Sequence, residues 1–179
     1  MRTALRRFRG DRGGVSAVEF ALIAPILIVM YCGMAEGCQA MMADRRAAHV
    51  AASLGDLVAQ DTVITTAEIS DVLAAGDALM APFPAGPSRL RARLTSVVVD
   101  AGGTARVDWS DARGLAARPK GQIVALPKDL VANGESVVMT EVQYVYESTI
   151  GGAFVLPPVL MGETYYLRPR RTDQVTRGS

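Results

Sequence analysis

The sequence predicts an α+β fold in which a long N-terminal transmembrane helix continues into a domain built on an antiparallel sheet of about four strands. Three observations carry this. An apolar run without charge follows a short basic leader, a helical spacing persists beyond that run, and after a cluster of prolines the apolar period changes from helical to two.

The leader, residues 1–14, carries Arg2, Arg6, Arg7, Arg9 and Arg12 against Asp11, a net +4, so the remaining chain is −3 where the whole is +1. From Phe20 to Ala35 no charged residue occurs, and the 21 residues from Val15 to Ala35 make about 30 Å of helix, one bilayer crossing. The arginines on its N-terminal side orient the N-terminus to the cytoplasm and the rest of the chain to the periplasm. A cleaved secretory signal is the minority alternative. Lipidation is set aside because Ala35-Glu36-Gly37-Cys38 has a glutamate where that motif needs a small neutral residue.

Past the membrane, Val50, Leu54, Leu57 and Val58 keep the amphipathic spacing, so one helix is expected from about Val15 to about Gln60, near 70 Å long. A second helix is expected from Thr65 or Thr66, because Thr65 with Glu68 forms a capping box and Ile69, Val72, Leu73 and Leu79 supply its stripe. Pro82, Pro84 and Pro87 end it. Arg89 to Val99 then alternates Leu90, Ala92, Leu94 and Val98 with arginines, a strand with one dry face. Gly102-Gly103 signals a two-residue hairpin that sets Val98 opposite Val107 and Ser96 opposite Trp109. Further strands are expected over about Ser136–Glu147 and Met161–Arg168, the first with Val138, Val142, Tyr144 and Tyr146 on one face. The link 112–134 is irregular, with at most one helical turn. The organisation expected is thus a cytoplasmic leader (1–14), a transmembrane helix (15–35), a periplasmic helical region (36–80) and a sheet domain (81–179).

The string that carries chemistry is Gly14-Val15-Ser16-Ala17-Val18-Glu19-Phe20. A glycine closing a basic leader, an apolar helix beginning at the next residue and a glutamate at that helix's fifth position are the features of a type IV prepilin processing site. A carboxylate central in an apolar segment costs about 2.5–3.5 kcal/mol, less near the end, so Glu19 calls for a partner. Cleavage between Gly14 and Val15 creates one, the new amine of Val15, which the glutamate of a neighbouring subunit can meet in an assembled fibre. The plainer reading has Glu19 at the interfacial end of an ordinary signal anchor, its head in the polar layer. Pro25 removes a backbone hydrogen bond inside the membrane helix; it marks either a kink or a locally melted turn used in packing, or is a tolerated transmembrane proline.

The stretch RGDRGGVSAVEFALIAPIL, with Ala17 to Leu22 followed by Ala24-Pro25 at its core, resembles the N-terminal segment of TadE/TadG-like proteins, minor pseudopilin-like components of Tad pilus systems. The resemblance is weaker through MMADRRAAHVAASLGDLVAQ and returns in ETYYLRPRR, Glu163 to Arg171. It implies a pilin-like layout, a non-catalytic role in pilus assembly or adhesion, an inner-membrane location, and as partners the membrane, a prepilin peptidase, other pilin or pseudopilin subunits and the Tad assembly platform. TadE-like members are peptidase substrates, which implies that Gly14 and Val15 flank the cut; TadG-like members are generally larger, and a length of 179 residues favours the first. The alternative is an unprocessed, single-pass anchored periplasmic accessory protein.

Other function classes find little support. The near-neutral charge lacks the concentrated basic surface of a nucleic-acid binder. One histidine, His49, and no nucleophile, metal-ligand or phosphate-loop motif argue against an enzyme, a resident metal or a cofactor. Cys32 and Cys38 lie on different faces of one helix and cannot join each other; they read as apolar fillers, with an intermolecular disulfide the lesser alternative. Asp108 and Asp111, flanking Trp109, read as solvated. The row Arg89, Arg91, Arg93 and the cluster Arg168, Arg170, Arg171 read as solvated faces or an edge guard, with docking of another subunit the minor reading.

Overall fold

The computed structural model describes residues 13–128, 130–148 and 157–178. Two compact units divide the chain, 1–39 with 149–155, and 40–148 with 156–179. In the first, the described residues form the N-terminal part of α1 (Gly13–Ala59). The helix starts and ends within two residues of the expected bounds, and its apolar window is unburied within the molecule.

In the second unit, the rest of α1 is followed by β1 (Val63–Ile64), α2 (Thr66–Met80), β2 (Leu90–Val99), β3 (Ala105–Arg113), β4 (Ser136–Tyr146), β5 (Val159–Leu167) and β6 (Thr176–Arg177). The capping box of α2 is formed: the Glu68 backbone N–H donates to Thr65 Oγ1 at 3.3 Å and Glu68 Oε2 accepts from the Thr65 N–H at 2.8 Å. These bonds satisfy amide donors that a helix start otherwise leaves open. Ile69, Leu73, Gly76 and Met80 are the buried positions of α2, while Val72 and Leu79 are partly buried beside them.

The four longer strands form an antiparallel sheet in the order β3-β2-β4-β5. One face buries Leu90, Ala92, Leu94, Val138, Val142, Tyr144 and Tyr146 in a core shared with Ala43, Ala47, Val50, Leu54 and Val58 of α1. The other face carries a smaller cluster, Val97, Val99, Val107, Val137 and Met139, covered by Val124, Leu126 and Val131 of the irregular link. That second cluster explains why β2 loses its alternation. From Leu94 to Val97 it is buried on both faces, and Val98, expected in the core, is only half-buried.

The hairpin differs from expectation in its turn. Val99 pairs with Ala105, so the loop is Asp100–Thr104 and not a two-residue turn at Gly102-Gly103. Asp100 organises it: its Oδ1 accepts from the backbone N–H groups of Gly102 and Thr104, both at 2.9 Å, and Gly103 takes φ +80°. The register of Ser96 opposite Trp109 holds, but a bulge between Ser96 and Val97 makes Asp108 the extra residue and puts Val97, not Val98, opposite Val107.

A two-residue parallel pair, β1 with β6, was not expected. It belongs to a C-terminal strap. Trp109 Nε1–H donates to the buried Val175 carbonyl at 2.8 Å, Ser136 Oγ–H to Asp173 O at 2.7 Å, and the Arg170 backbone N–H to Ala59 O at 2.8 Å.

Candidate processing and anchoring site

Gly14, Val15 and Glu19 all lie in the first two turns of α1, and the five arginines of the leader lie outside the described residues. Val15 and Glu19 are four residues apart and so share one helix face. Every large apolar side chain from Val15 to Met34 is exposed, with Phe20 at 69% and Leu22 at 68%. Glu19, also exposed, is the one charge between Gly13 and Ala35. A surface of this kind is compatible with a single-pass membrane anchor, since water leaves such area unburied at about 25 cal/mol per Å². Helix is assigned on both sides of Pro25 and at Pro25 itself, where the missing N–H leaves the Ala21 carbonyl without its usual donor.

The surroundings of Gly14 are open among the described residues. A Cβ built there meets no atom within 4 Å among the described residues, whereas at Gly55, in the same helix, it would lie 2.5 Å from Leu167 Cδ1 and 2.7 Å from Thr140 Oγ1. Gly55 is a packing glycine. Among the described residues, Gly14 has no packing partner that needs it small.

Several of the charged residues of the sheet domain form ion pairs. Arg93, on the inner strand β2, holds Glu141 of β4 through two bonds of 2.7 Å, and Arg89, just before β2, pairs with the exposed Glu147 just after β4. Arg118, from the link, reaches the same carboxylate at 2.9 Å. Burial acts to raise the Glu141 pKa, but the hydrogen bonds from Arg93 and Arg118 outweigh it and hold the carboxyl below its usual 4.5. Asp108 accepts from Lys120 at 2.8 Å and from Gln174 at 2.6 Å, while Asp111 pairs with Arg177 at 3.1 Å. Of the C-terminal cluster, Arg168 pairs with Glu135 and Arg170 with Asp56. Arg118 and Lys120 fasten the link, and Arg170, Gln174 and Arg177 the strap, to the rest of the domain. The solvated-face reading is corrected for Arg93, Asp108 and Asp111, whose side chains are partly buried in their pairs, while Arg168 and Arg170 remain exposed as expected.

His49 is exposed and faces Ser53 Oγ at 3.2 Å, and Cys32 and Cys38 are free thiols. Among the described residues no three His, Cys, Asp or Glu side chains are grouped to hold a metal. An open groove of about 400 Å³ beside the β2–β3 hairpin is lined by Val99, Val124, Leu126 and Val131, with Lys128 its ionisable lining residue. A lone lysine there offers neither an acid–base pair nor a nucleophile with its base.

Residues 14–54 match the family model of TadE-like proteins. No curated protein and no solved structure matches the chain. The matched segment begins at Gly14 and contains Val15, Glu19, Pro25 and the Ala17–Leu22 core of the resemblance; Glu163–Arg171 lies outside it.

Proposed function

We propose that the chain is a non-catalytic, pseudopilin-like minor component of a Tad-type pilus, anchored in the inner membrane with its N-terminus cytoplasmic and its sheet domain periplasmic. In this reading a prepilin peptidase cleaves between Gly14 and Val15, and the mature protein joins other pilin or pseudopilin subunits on the Tad assembly platform to start or complete the fibre. The observation that carries the reading is the coincidence of the TadE-like match with the one junction where basic leader, glycine and apolar helix meet.

Glu19 then acts after cleavage. On an exposed apolar surface its carboxylate is the one charge available to the freed amine of an adjacent subunit, and a charge-assisted hydrogen bond in a low-dielectric bundle is worth more than in water. Pro25 supplies a site where α1 can bend as helices pack.

Intact-mass measurement of the protein from membranes of its own host, with and without the prepilin peptidase, tests the assignment. A mature chain starting at Val15 in the first strain and a full-length chain in the second is the expected result. Full-length protein in both strains would instead support the unprocessed anchored accessory. Glu19→Gln extends the test, since it is expected to leave insertion and cleavage intact while abolishing pilus formation.

A further inference from the structure

Two contacts set the direction in which α1 passes the sheet. A Cβ at Gly55 would lie 2.5 Å from Leu167 Cδ1, and the Arg170 backbone N–H donates to Ala59 O at 2.8 Å. α1 and β5 therefore run in the same sense, and the end of the second unit at Ala40 is the end at which β5 begins. Ala40 lies 15 residues before Gly55, about 22 Å of helix, and Leu160 lies seven residues before Leu167, about 23 Å of strand. At this shared level Met41, Met42, Val159 and Leu160 are 45% to 60% exposed. Val159 and Leu160 are consecutive on a strand, so both faces of the sheet end in an apolar side chain there.

Charge begins at one level as well. On α1 the first charged residues after the buried Glu36 are Asp44, Arg45 and Arg46, and on β5 the first is Glu163, with none from Ser148 to Gly162. Asp44 lies 11 residues before Gly55, about 16 Å, and Glu163 four before Leu167, about 13 Å. Arg91 of β2 aligns with Gly162 two strands over, at the boundary itself, and Arg89 and Glu147, which stand within the apolar level, pair with each other. An apolar patch that gives way to charge at one height on both a helix and a strand marks an interaction surface rimmed by water. The chain selects the occupant. The uncharged run of α1 ends at Ala35, five residues before Ala40, and five residues of backbone reach at most about 18 Å. The patch therefore stays beside the bilayer that the run crosses. We propose that Met41, Met42, Val159 and Leu160 form a second lipid-contacting surface, which rests in the interfacial layer on the periplasmic side of that bilayer and holds the sheet domain against it. The inference rests on the anchor reading of α1.

Fluorescence quenching in the full-length chain, reconstituted into phosphatidylcholine–phosphatidylglycerol vesicles, tests the contact. Cys32 and Cys38 are replaced by serine, and the dye NBD is attached to one introduced cysteine at a time. Ile123 is the matched control: it is 62% exposed and bridged to Arg106, whose β2 partner Val98 lies eight positions from Leu90 at the apolar end, about 26 Å. Lipids carrying a nitroxide near the headgroup are expected to quench the dye at Leu160→Cys at least threefold more than at Ile123→Cys. Lipids with the nitroxide deep in the acyl chain are expected to quench it at Ile26→Cys, which reports on the anchor alone. Quenching at Ile26 with none at Leu160 beyond the Ile123 level would overturn the proposal and leave the anchor standing, whereas no quenching at Ile26 would remove both. Val159→Asp, beside the label at Leu160→Cys, is expected to cut the quenching there at least twofold. Unchanged quenching would show that the dye alone drives insertion, and would also overturn the proposal.

Discussion

Gly55 sits where α1 approaches the sheet most closely, and Gly55→Ala measures how tightly the two are fitted. A Cβ there would lie 2.5 Å from Leu167 Cδ1, 2.7 Å from Thr140 Oγ1 and 3.5 Å from Thr140 Cβ. The leucine methyl ends a flexible side chain and can turn aside. Thr140 is fully buried on an inner strand and cannot. Two opposed effects follow: alanine in a helix interior is better than glycine by about 0.5–1 kcal/mol, whereas inserting a methyl into a packed interface costs about 1–3 kcal/mol. The second prevails by about 1 kcal/mol, which lowers the thermal midpoint of a chain this size by about 2–4 °C. Unfolding of the full-length protein in detergent, followed by the fluorescence of its single tryptophan, Trp109, reads the shift.

A second substitution separates close packing from helix propensity. Thr140 Oγ1 is buried without a hydrogen-bond partner, so Thr140→Ala removes the obstructing atom without breaking a bond. Gly55→Ala combined with Thr140→Ala is expected to recover most of the loss, with a coupling of at least ~0.5 kcal/mol. A Gly55→Ala protein as stable as the parent or more so, or a loss that Thr140→Ala does not relieve, would refute the reasoning.

Two further outcomes are expected. Because the Glu141 pKa is depressed in the folded protein, its ion pairs contribute stability that is present above the unfolded pKa near 4.5 and lost as pH falls through the lower folded value; Glu141→Gln should therefore flatten the acid limb of the thermal midpoint below about pH 5 while lowering stability at neutral pH, both read by calorimetry. Trp109→Phe removes the donor to the buried Val175 carbonyl, which should cost about 1–3 kcal/mol in urea unfolding followed by circular dichroism; a cost below ~0.5 kcal/mol would mean that the strap is held elsewhere.

Much of the fold was legible because its signals are local. The long apolar helix, the Thr65–Glu68 capping box and the proline stop after Met80 each depend on residues within a turn or two of one another. The apolar face of β4 was legible from its period, whereas Ser96 meets Trp109 as expected only because the bulge at Asp108 offsets a turn longer than the sequence signalled. The string proposed as the site is contiguous in the sequence, and the TadE-like match covers all of it but the leader.

What only the tertiary structure decided is what distant residues do to one another. The strand order put β2 beside β4 inside the sheet, which brought Arg93 beside Glu141, 48 positions away, and partly buried a side chain that the alternation alone put on a solvent face. The link's apolar residues covered the second face near the hairpin, so Val97 and Val99 became buried and Val98 half-exposed, against the simple alternation. Trp109 and Val175 are 66 positions apart, and Arg170 and Asp56 are 114 apart. No period in the chain connects them. The Trp109 contact forms because the packed core brings a buried carbonyl beside a donor and excludes the water that would otherwise satisfy both, and the exposed Arg170–Asp56 pair is brought together by the same folding.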